Sequence, residues 1–188
     1  LVDGKVVAGP HVRDACRRHL NDLETGAERG LVWNPEAADH FYGFCRHVLR
    51  LNGGEFEGKP FELHPSQEVI AGSLFGWRRL DGTRRFRVCF IEQGKGNGKS
   101  PLAAAIGLYG LVADTEPRAE VYAAATKKDQ AMILFRDAVA MVEQSPHLAA
   151  NLTKSGRNPV WNLAHLKSGS FFRPIAADNA QSGPRPHI

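Results

Sequence analysis

The chain has 188 residues, 43% of them hydrophobic and 23% charged, with a formal charge of +4 and a pI near 9.1. That length buries one substantial core with room for a small N-terminal appendage, and that composition excludes a disordered chain. No apolar run approaches the roughly 20 residues that a membrane span needs, and the N-terminus lacks the apolar core of a signal peptide, so a cytosolic setting without membrane contact is expected.

Cys16, Cys45 and Cys89 have no C-x-x-C spacing and are odd in number, so reduced, partly buried thiols are expected, not a disulfide framework. His11, Cys16 and His19 are near enough to share a helix, yet no tight metal-ligand pair supports a metal site there. The positive balance suits a polyanionic partner, although each Lys/Arg pair taken alone reads as a solvated face.

Residues 1–10 show no period and end in Gly9-Pro10, leading into a helix over 11–25 whose apolar positions Val12, Ala15, Cys16, His19, Leu20 and Leu23 recur at three and four. Gly26 stops it. Asn34-Pro35-Glu36 caps a second helix running to about residue 51, with a stripe of Ala37, Phe41, Phe44, Cys45, Val48 and Leu49. Two short amphipathic helices make little core alone, so residues 1–60 read as a helical lid or brace.

From Phe61 the pattern changes. An extended approach leads to a helix starting near Ser66 and running through Trp77; Asp81-Gly82-Thr83 turns the chain, and residues 84–91 read as a strand with Phe86, Val88 and Phe90 on one face. A glycine-rich loop follows, then a helix with Leu102, Ile106, Tyr109 and Val112 on one side and small residues, Gly107 and Gly110 among them, for close approach to a sheet. Residues 120–125 read as a strand, Thr126 as the cap of a helix over 127–144, and Ser145-Pro146 as its end. Residues 160–163 and 170–177 are further strands about a turn at Lys167-Ser168-Gly169; Pro174 argues for a strand edge or end. Residues 178–186 read as a loop before a strand at 187–188. Strand, loop, helix, strand, helix is the order of a doubly wound parallel sheet.

The loop carries the chemistry. Glycines at 94, 96 and 98 permit positive φ, which turns successive backbone N–H groups toward an anion at the positive end of the next helix. Against the P-loop pattern G-x-x-x-x-G-K-[ST], Gly98, Lys99 and Ser100 fit, while the first glycine falls on Gln93. It is a deviant P-loop. Lys99 is placed for the β and γ phosphates and Ser100 for Mg²⁺. A Gly-rich turn with a solvated lysine is the bland alternative. Pro101 sits in the first turn, where helical N–H groups lack partners anyway. The acidic second ligand that such an enzyme needs is not evident: Asp114 ends the helix pattern, and Asp178 follows a run broken by Arg173 and Pro174. Nucleotide binding is therefore more legible than turnover.

Six motifs in order resemble the large terminase subunit of tailed bacteriophages: Phe61-Glu62-Leu63-His64-Pro65-Ser66-Gln67, Phe75-Gly76-Trp77, Asp81-Gly82-Thr83-Arg84-Arg85-Phe86, Gly94-Lys95-Gly96-Asn97-Gly98-Lys99-Ser100, Tyr122-Ala123-Ala124-Ala125-Thr126-Lys127-Lys128-Asp129-Gln130-Ala131 and Ser182-Gly183-Pro184-Arg185-Pro186-His187. The resemblance implies an α/β P-loop NTPase of the RecA-like (ASCE) class, its parallel sheet flanked by helices, preceded by the helical segment 1–60 and with residues 61–188 as the N-terminal part of the ATPase domain. It implies that the acidic Walker B strand and the nuclease fall after this stretch, leaving the core incomplete at the C-terminus. It also implies ATP and Mg²⁺ as cofactors, held by Gln67 at the adenine and by Gly94, Lys95, Gly96, Asn97, Gly98, Lys99 and Ser100 at the phosphates, with Ser100 the metal ligand and Lys95 and Lys99 the catalytic cations. Lys95 stands where the family usually carries arginine, and lysine lacks that residue's planar fork.

Further implied are double-stranded DNA as cargo, translocated into a procapsid, a portal protein and a small terminase subunit as partners, a homo-oligomeric ring, cutting of concatemeric DNA by the full protein, and a location in the cytoplasm of the bacterial host. The fragment alone is expected to bind ATP weakly and turn it over poorly. Gln67 reads equally as a helix cap or surface amide. Lys127 and Lys128, at a helix start after a strand, are candidates for DNA phosphate contact beside the reading as a solvated face. Trp77 and Trp161 read as packing residues, not base-stacking platforms. Arg136 and Arg157 are candidates for an arginine acting in trans by charge alone. The competing functions are another DNA-translocating or helicase-like P-loop ATPase, and a non-catalytic nucleotide- or DNA-binding assembly domain.

Overall fold

Extended backbone at Gly9 and a proline in the first turn start α1 (Pro10–Thr25), one residue earlier than expected. The computed structural model describes residues 1–176, so the expectations for Asp178, for residues 182–187 and for a strand at 187–188 lie outside the described residues. Contacts divide the chain into two units: Leu1–Tyr42 with Leu63–Ile91, and Gly43–Glu62 with the described residues from Glu92 onward.

In the first unit, α1 runs into a 3₁₀ turn at Gly26–Arg29, and Gly30 at φ 69° turns the chain into β1 (Leu31–Trp33). Asn34 caps α2 (Pro35–Gly43), its Oδ1 accepting from Ala37 N at 3.0 Å. The helix expected to reach residue 51 instead changes, where the chain passes into the second unit, to a π-helical turn at Phe44–Val48, which Leu49 ends in extended backbone. α3 (Pro65–Gly76) gives way at Trp77 to β2 (Trp77–Arg79), antiparallel to β1 with Trp33 opposite Trp77. Runs of three residues are too short to show a period, so this ribbon is invisible in the sequence.

Two clusters hold the unit. His19 meets Trp33 and Trp77 edge-on, at 4.9 and 5.6 Å between ring centres, and its Nδ1 accepts from Trp77 Nε1 at 3.1 Å. Burial lowers the imidazole pKa, against the pull of Asp22 and with the help of Arg18. Asp22, 3% exposed, accepts from Arg29 at 2.5 Å and from Arg85. Burial raises its pKa, but the hydrogen bonds from Arg29 and Arg85 outweigh that and leave it below the ordinary carboxylate value.

The turn at Asp81-Gly82-Thr83 forms as expected, with Asp81 Oδ1 accepting from Thr83 N at 2.9 Å. The strand expected over 84–91 does not. After a bridge between Arg78 and Arg84 and a hydrogen bond from Arg85 N to Trp77 O, no ladder continues, and Val88 and Phe90 are 84% and 86% exposed. A strand exists only where a neighbour takes its N–H and C=O groups, and none among the described residues does so here. Phe86 lies instead under the guanidinium groups of Arg18 and Arg85, at 5.0 and 4.7 Å.

In the second unit α4 (Lys99–Val112) buries Leu102, Ala104, Ala105, Leu108, Tyr109 and Leu111, while Ile106 and Val112 are only partly covered. β3 (Glu120–Ala125) has its expected limits. α5 (Lys128–Gln144) does not use Thr126 as its cap: the N-cap falls on Lys127 and no side chain bonds there. Ser145 ends α5 and caps the short α6 (Pro146–Asn151), its Oγ accepting from Leu148 N. β4 (Thr153–Ser155), β5 (Asn162–His165, two residues later than expected) and β6 (Ser170–Ala176) complete a sheet of order β3-β6-β5-β4.

The expected parallel sheet is corrected to a mixed one. Only β3 and β6 run parallel; β4, β5 and β6 follow one another through short connections, which can join only antiparallel strands. β5 pairs β6 only at Ser170, Phe171 and Phe172, so Pro174 stands beyond it at an edge, as its missing donor requires. The core lies between this sheet and α4 and α5: Phe135 meets Phe172 edge-on at 5.3 Å, with Leu108, Met141, Val142, Leu148 and Leu163 at or below 1% exposure. Gly107 is required there, because a Cβ on it would lie 2.7 Å from the Phe172 ring. Each fully buried side chain of this size stabilises the unit by about 1.5–3 kcal/mol.

Candidate functional site

The loop before α4 is shaped by two glycines in the left-handed region, Gly96 at φ 85° and Gly98, the N-cap of α4, at φ 72°. Side-chain-bearing residues pay about 1 kcal/mol for that conformation, so glycine is what lets the chain turn tightly onto the helix start. Gly98 O closes the first helical bond, accepting from Leu102 N at 3.2 Å, and Pro101 fits inside the first turn. The loop thus ends at the positive end of a 14-residue helix.

Lys99 is folded back over this loop. Its Nζ donates to Gln93 O at 2.6 Å and to Gly94 O at 2.9 Å. The ammonium is thus held at the loop it would serve, on carbonyls that a phosphate oxygen could replace. Ser100 is half-buried, and its hydroxyl makes no hydrogen bond among the described residues. Lys95 and Asn97 are exposed, and a Cβ on Gly94 would lie 3.2 Å from Asn97 Nδ2. Left-handed glycines at a helix start, a tethered ammonium and a hydroxyl without a hydrogen bond among the described residues fit a nucleotide phosphate chain with a divalent ion. The segment feeding the loop pairs with no strand among the described residues, so the expected strand is absent there.

The other expected site residues have their own local settings. Gln67, in the first unit, serves α3 as a capping-box partner: its Oε1 accepts from His64 N at 2.9 Å while His64 Nδ1 accepts from Ser66 N at 3.3 Å. That is the capping role the sequence left open. Lys127 and Lys128 are exposed at the start of α5 and form no ion pair among the described residues. Asp114 lies just past the C-terminal end of α4, about 20 Å along the helix from the loop, too far to share a metal ion with Ser100. Trp77 is buried as expected at 2% exposure, but Trp161 is 51% exposed.

The family model described as Terminase large subunit, ATPase domain, matches residues 65–185, which contain the loop, α4 and the whole four-stranded sheet. The chain belongs to that family. Its structure is also similar to the crystal structure of the HK97 bacteriophage large terminase, with a TM-score of 0.62 and 21% sequence identity over 80% of this chain. This likeness supports a terminase ATPase fold with helices on a mixed sheet. The terminase chain spans 29% of the length of that HK97 protein. No curated protein matches it.

Proposed function

We propose that this terminase chain is a P-loop NTPase of the RecA-like class that binds ATP with Mg²⁺ at residues 94–100. The observation that carries the reading is the loop itself: left-handed Gly96 and Gly98 set backbone amides at the start of α4, with the Lys99 ammonium held over the same turn. The nucleotide supplies the phosphoanhydride bond and the metal neutralises its charge. Lys99 exchanges Gln93 O and Gly94 O for phosphate oxygens, two carbonyl bonds for stronger charge-assisted ones. The Ser100 hydroxyl takes the metal, Lys95 adds a second cation from the exposed side of the loop, and the Gln67 amide, oriented by its bond to His64 N, contacts the adenine.

On this reading residues 61–188 are the N-terminal part of an ATPase domain and 1–60 its helical brace. ATP hydrolysis drives double-stranded DNA into a procapsid in the host cytoplasm, in a ring of subunits working with a portal protein and a small subunit. Lys127 and Lys128, exposed at a helix start, contact DNA phosphates. Cutting of DNA belongs to the longer protein. No helix among the described residues is long and apolar enough to cross a membrane.

The test is binding of a fluorescent ATP analogue with Mg²⁺ to the chain and to Lys99→Ala. Loss of a charge-assisted phosphate contact is expected to weaken binding by about tenfold or more. Equal affinity in both proteins, with circular dichroism showing both folded, removes the nucleotide reading of this loop.

A further inference from the structure

The sheet of the second unit carries a cleft of about 300 Å³ that shares no residue with the loop. Strand alternation sets its place. Leu163 and Phe172 are opposite each other on β5 and β6 and point into the core, 0% and 1% exposed. Ala164, Phe171, Asn162 and Arg173 therefore stand on the other face, where β3 adds Tyr122, in register with Arg173. Trp161, with half its surface exposed, forms a wall of the cleft, and Leu166 and Gly169 of the β5–β6 turn form one end.

Arg173 is the informative group. Its guanidinium lies 3.6 Å from the centre of the Phe171 ring and 5.9 Å from that of Tyr122. It makes no hydrogen bond or ion pair with the described residues. Glu120, the acid on this face, accepts from the Tyr122 hydroxyl at 2.7 Å and does not pair with it. A half-buried cation without a counter-ion is unfavourable unless a ligand neutralises it. Its Nε–H is buried without a partner among the described residues, and a guanidinium over a ring can still donate N–H bonds to an anion.

Two more cations stand by the turn. Arg118, held at φ 58°, donates its backbone N–H to Ser168 O at 2.9 Å and places its Cγ 3.4 Å from the Gly169 Cβ position. Lys167 belongs to the same turn and is exposed; neither cation forms an ion pair among the described residues.

The half-buried Arg173 of the cleft, the two exposed cations at its turn and the exposed Trp161 ring match a chain of phosphates with unstacked bases. A duplex keeps its bases stacked inside and offers Trp161 no ring to receive. We propose that this cleft binds single-stranded nucleic acid, with one base on Trp161 and neighbouring phosphates on Arg173, Lys167 and Arg118.

The experiment is a tryptophan-fluorescence titration with oligo(dT), carried out on Lys99→Ala so that the nucleotide loop does not contribute. The Trp161 signal is taken as the difference from Trp161→Phe, because Trp33 and Trp77 also emit. The expected result is saturable quenching that weakens with added salt, with affinity about tenfold lower in Arg173→Ala and in Trp161→Ala. If Arg173→Ala does not fold, Arg173→Lys is read instead; it keeps the charge, loses the flat fork and is expected to bind several-fold more weakly. Duplex DNA binding as tightly as the oligonucleotide overturns the base-stacking assignment, and ATP alone reproducing the full quench overturns a strand as ligand. Absence of saturable quenching, or parent-like affinity in the folded variants, overturns the site. Because Lys99 is already replaced, none of these outcomes bears on the nucleotide loop.

Discussion

The cluster around Asp22 and the loop at residues 94–100 are both organised by cations, and they use them in opposite ways. In the first unit Arg29 and Arg85 converge on one buried carboxylate from 7 and 63 residues away, so distant stretches of chain are fixed through side chains. In the loop, Lys99 reaches only carbonyls five and six residues back, and shape comes from backbone dihedrals at Gly96 and Gly98. A buried ion network is a structural commitment, whereas a local tether to carbonyls can be exchanged for a ligand. The difference separates a cation that holds a fold from one that is available for chemistry.

The largest expected effect breaks the first half of that comparison. Asp22→Ala leaves two guanidinium groups without their shared acceptor and is expected to destabilise the protein by about 3 kcal/mol, read by urea unfolding followed through Trp33 and Trp77 emission. Lys99→Ala, by contrast, should leave the urea midpoint nearly unchanged while nucleotide affinity falls.

Gly107→Ala, in the second unit, places a methyl 2.7 Å from the Phe172 ring and should lower stability by about 2 kcal/mol, measured by thermal unfolding. A variant as stable as the parent would show that Phe172 shifts freely and that the sheet is not tightly seated on α4. Gly98→Ala is milder in stability, about 1 kcal/mol, from a side chain forced to φ 72° at the N-cap of α4. Its sharper readout is nucleotide binding, which should weaken more than the stability change alone explains.

The smallest effect is in pH. The folded protein holds the His19 pKa below its ordinary 6.5, so the unfolded chain binds the proton first. Stability is therefore full above about pH 6.5 and falls as pH drops below it. Asp22 acts in the same direction at lower pH: its depressed pKa contributes stability above the ordinary 3.8 that is lost as pH falls through the folded value. Urea midpoints between pH 7.5 and 5 measure the histidine part, and His19→Gln should flatten that slope.

Much of this was legible along the chain because it is local. The turn at Asp81-Gly82-Thr83 and the limits of β3 follow from short-range patterns, and the loop motif follows from residues that are consecutive. The larger errors involve partners. Residues 84–91 alternate like a strand, yet Val88 and Phe90 lie bare because no neighbouring strand among the described residues receives them. Trp161 looks like any core tryptophan, but it lies just before β5, half exposed at the wall of a cleft. Thr126 has the chemistry of a cap and misses the role because the helix starts after Lys127.

What the sequence by itself determined is the glycine-rich loop at residues 94–100 with the helix after it, the cap of α2 at Asn34 and membership of the terminase family, since each depends on residue type at short spacing. Only the tertiary structure decided that the sheet is mixed, that Asp22 gathers two arginines, and that Arg173 lies over Phe171 with no counter-ion among the described residues. Those facts depend on which strands and side chains meet across tens of residues, and spacing along a chain does not encode such meetings directly. They arise when buried area, hydrogen-bond satisfaction and register are optimised together.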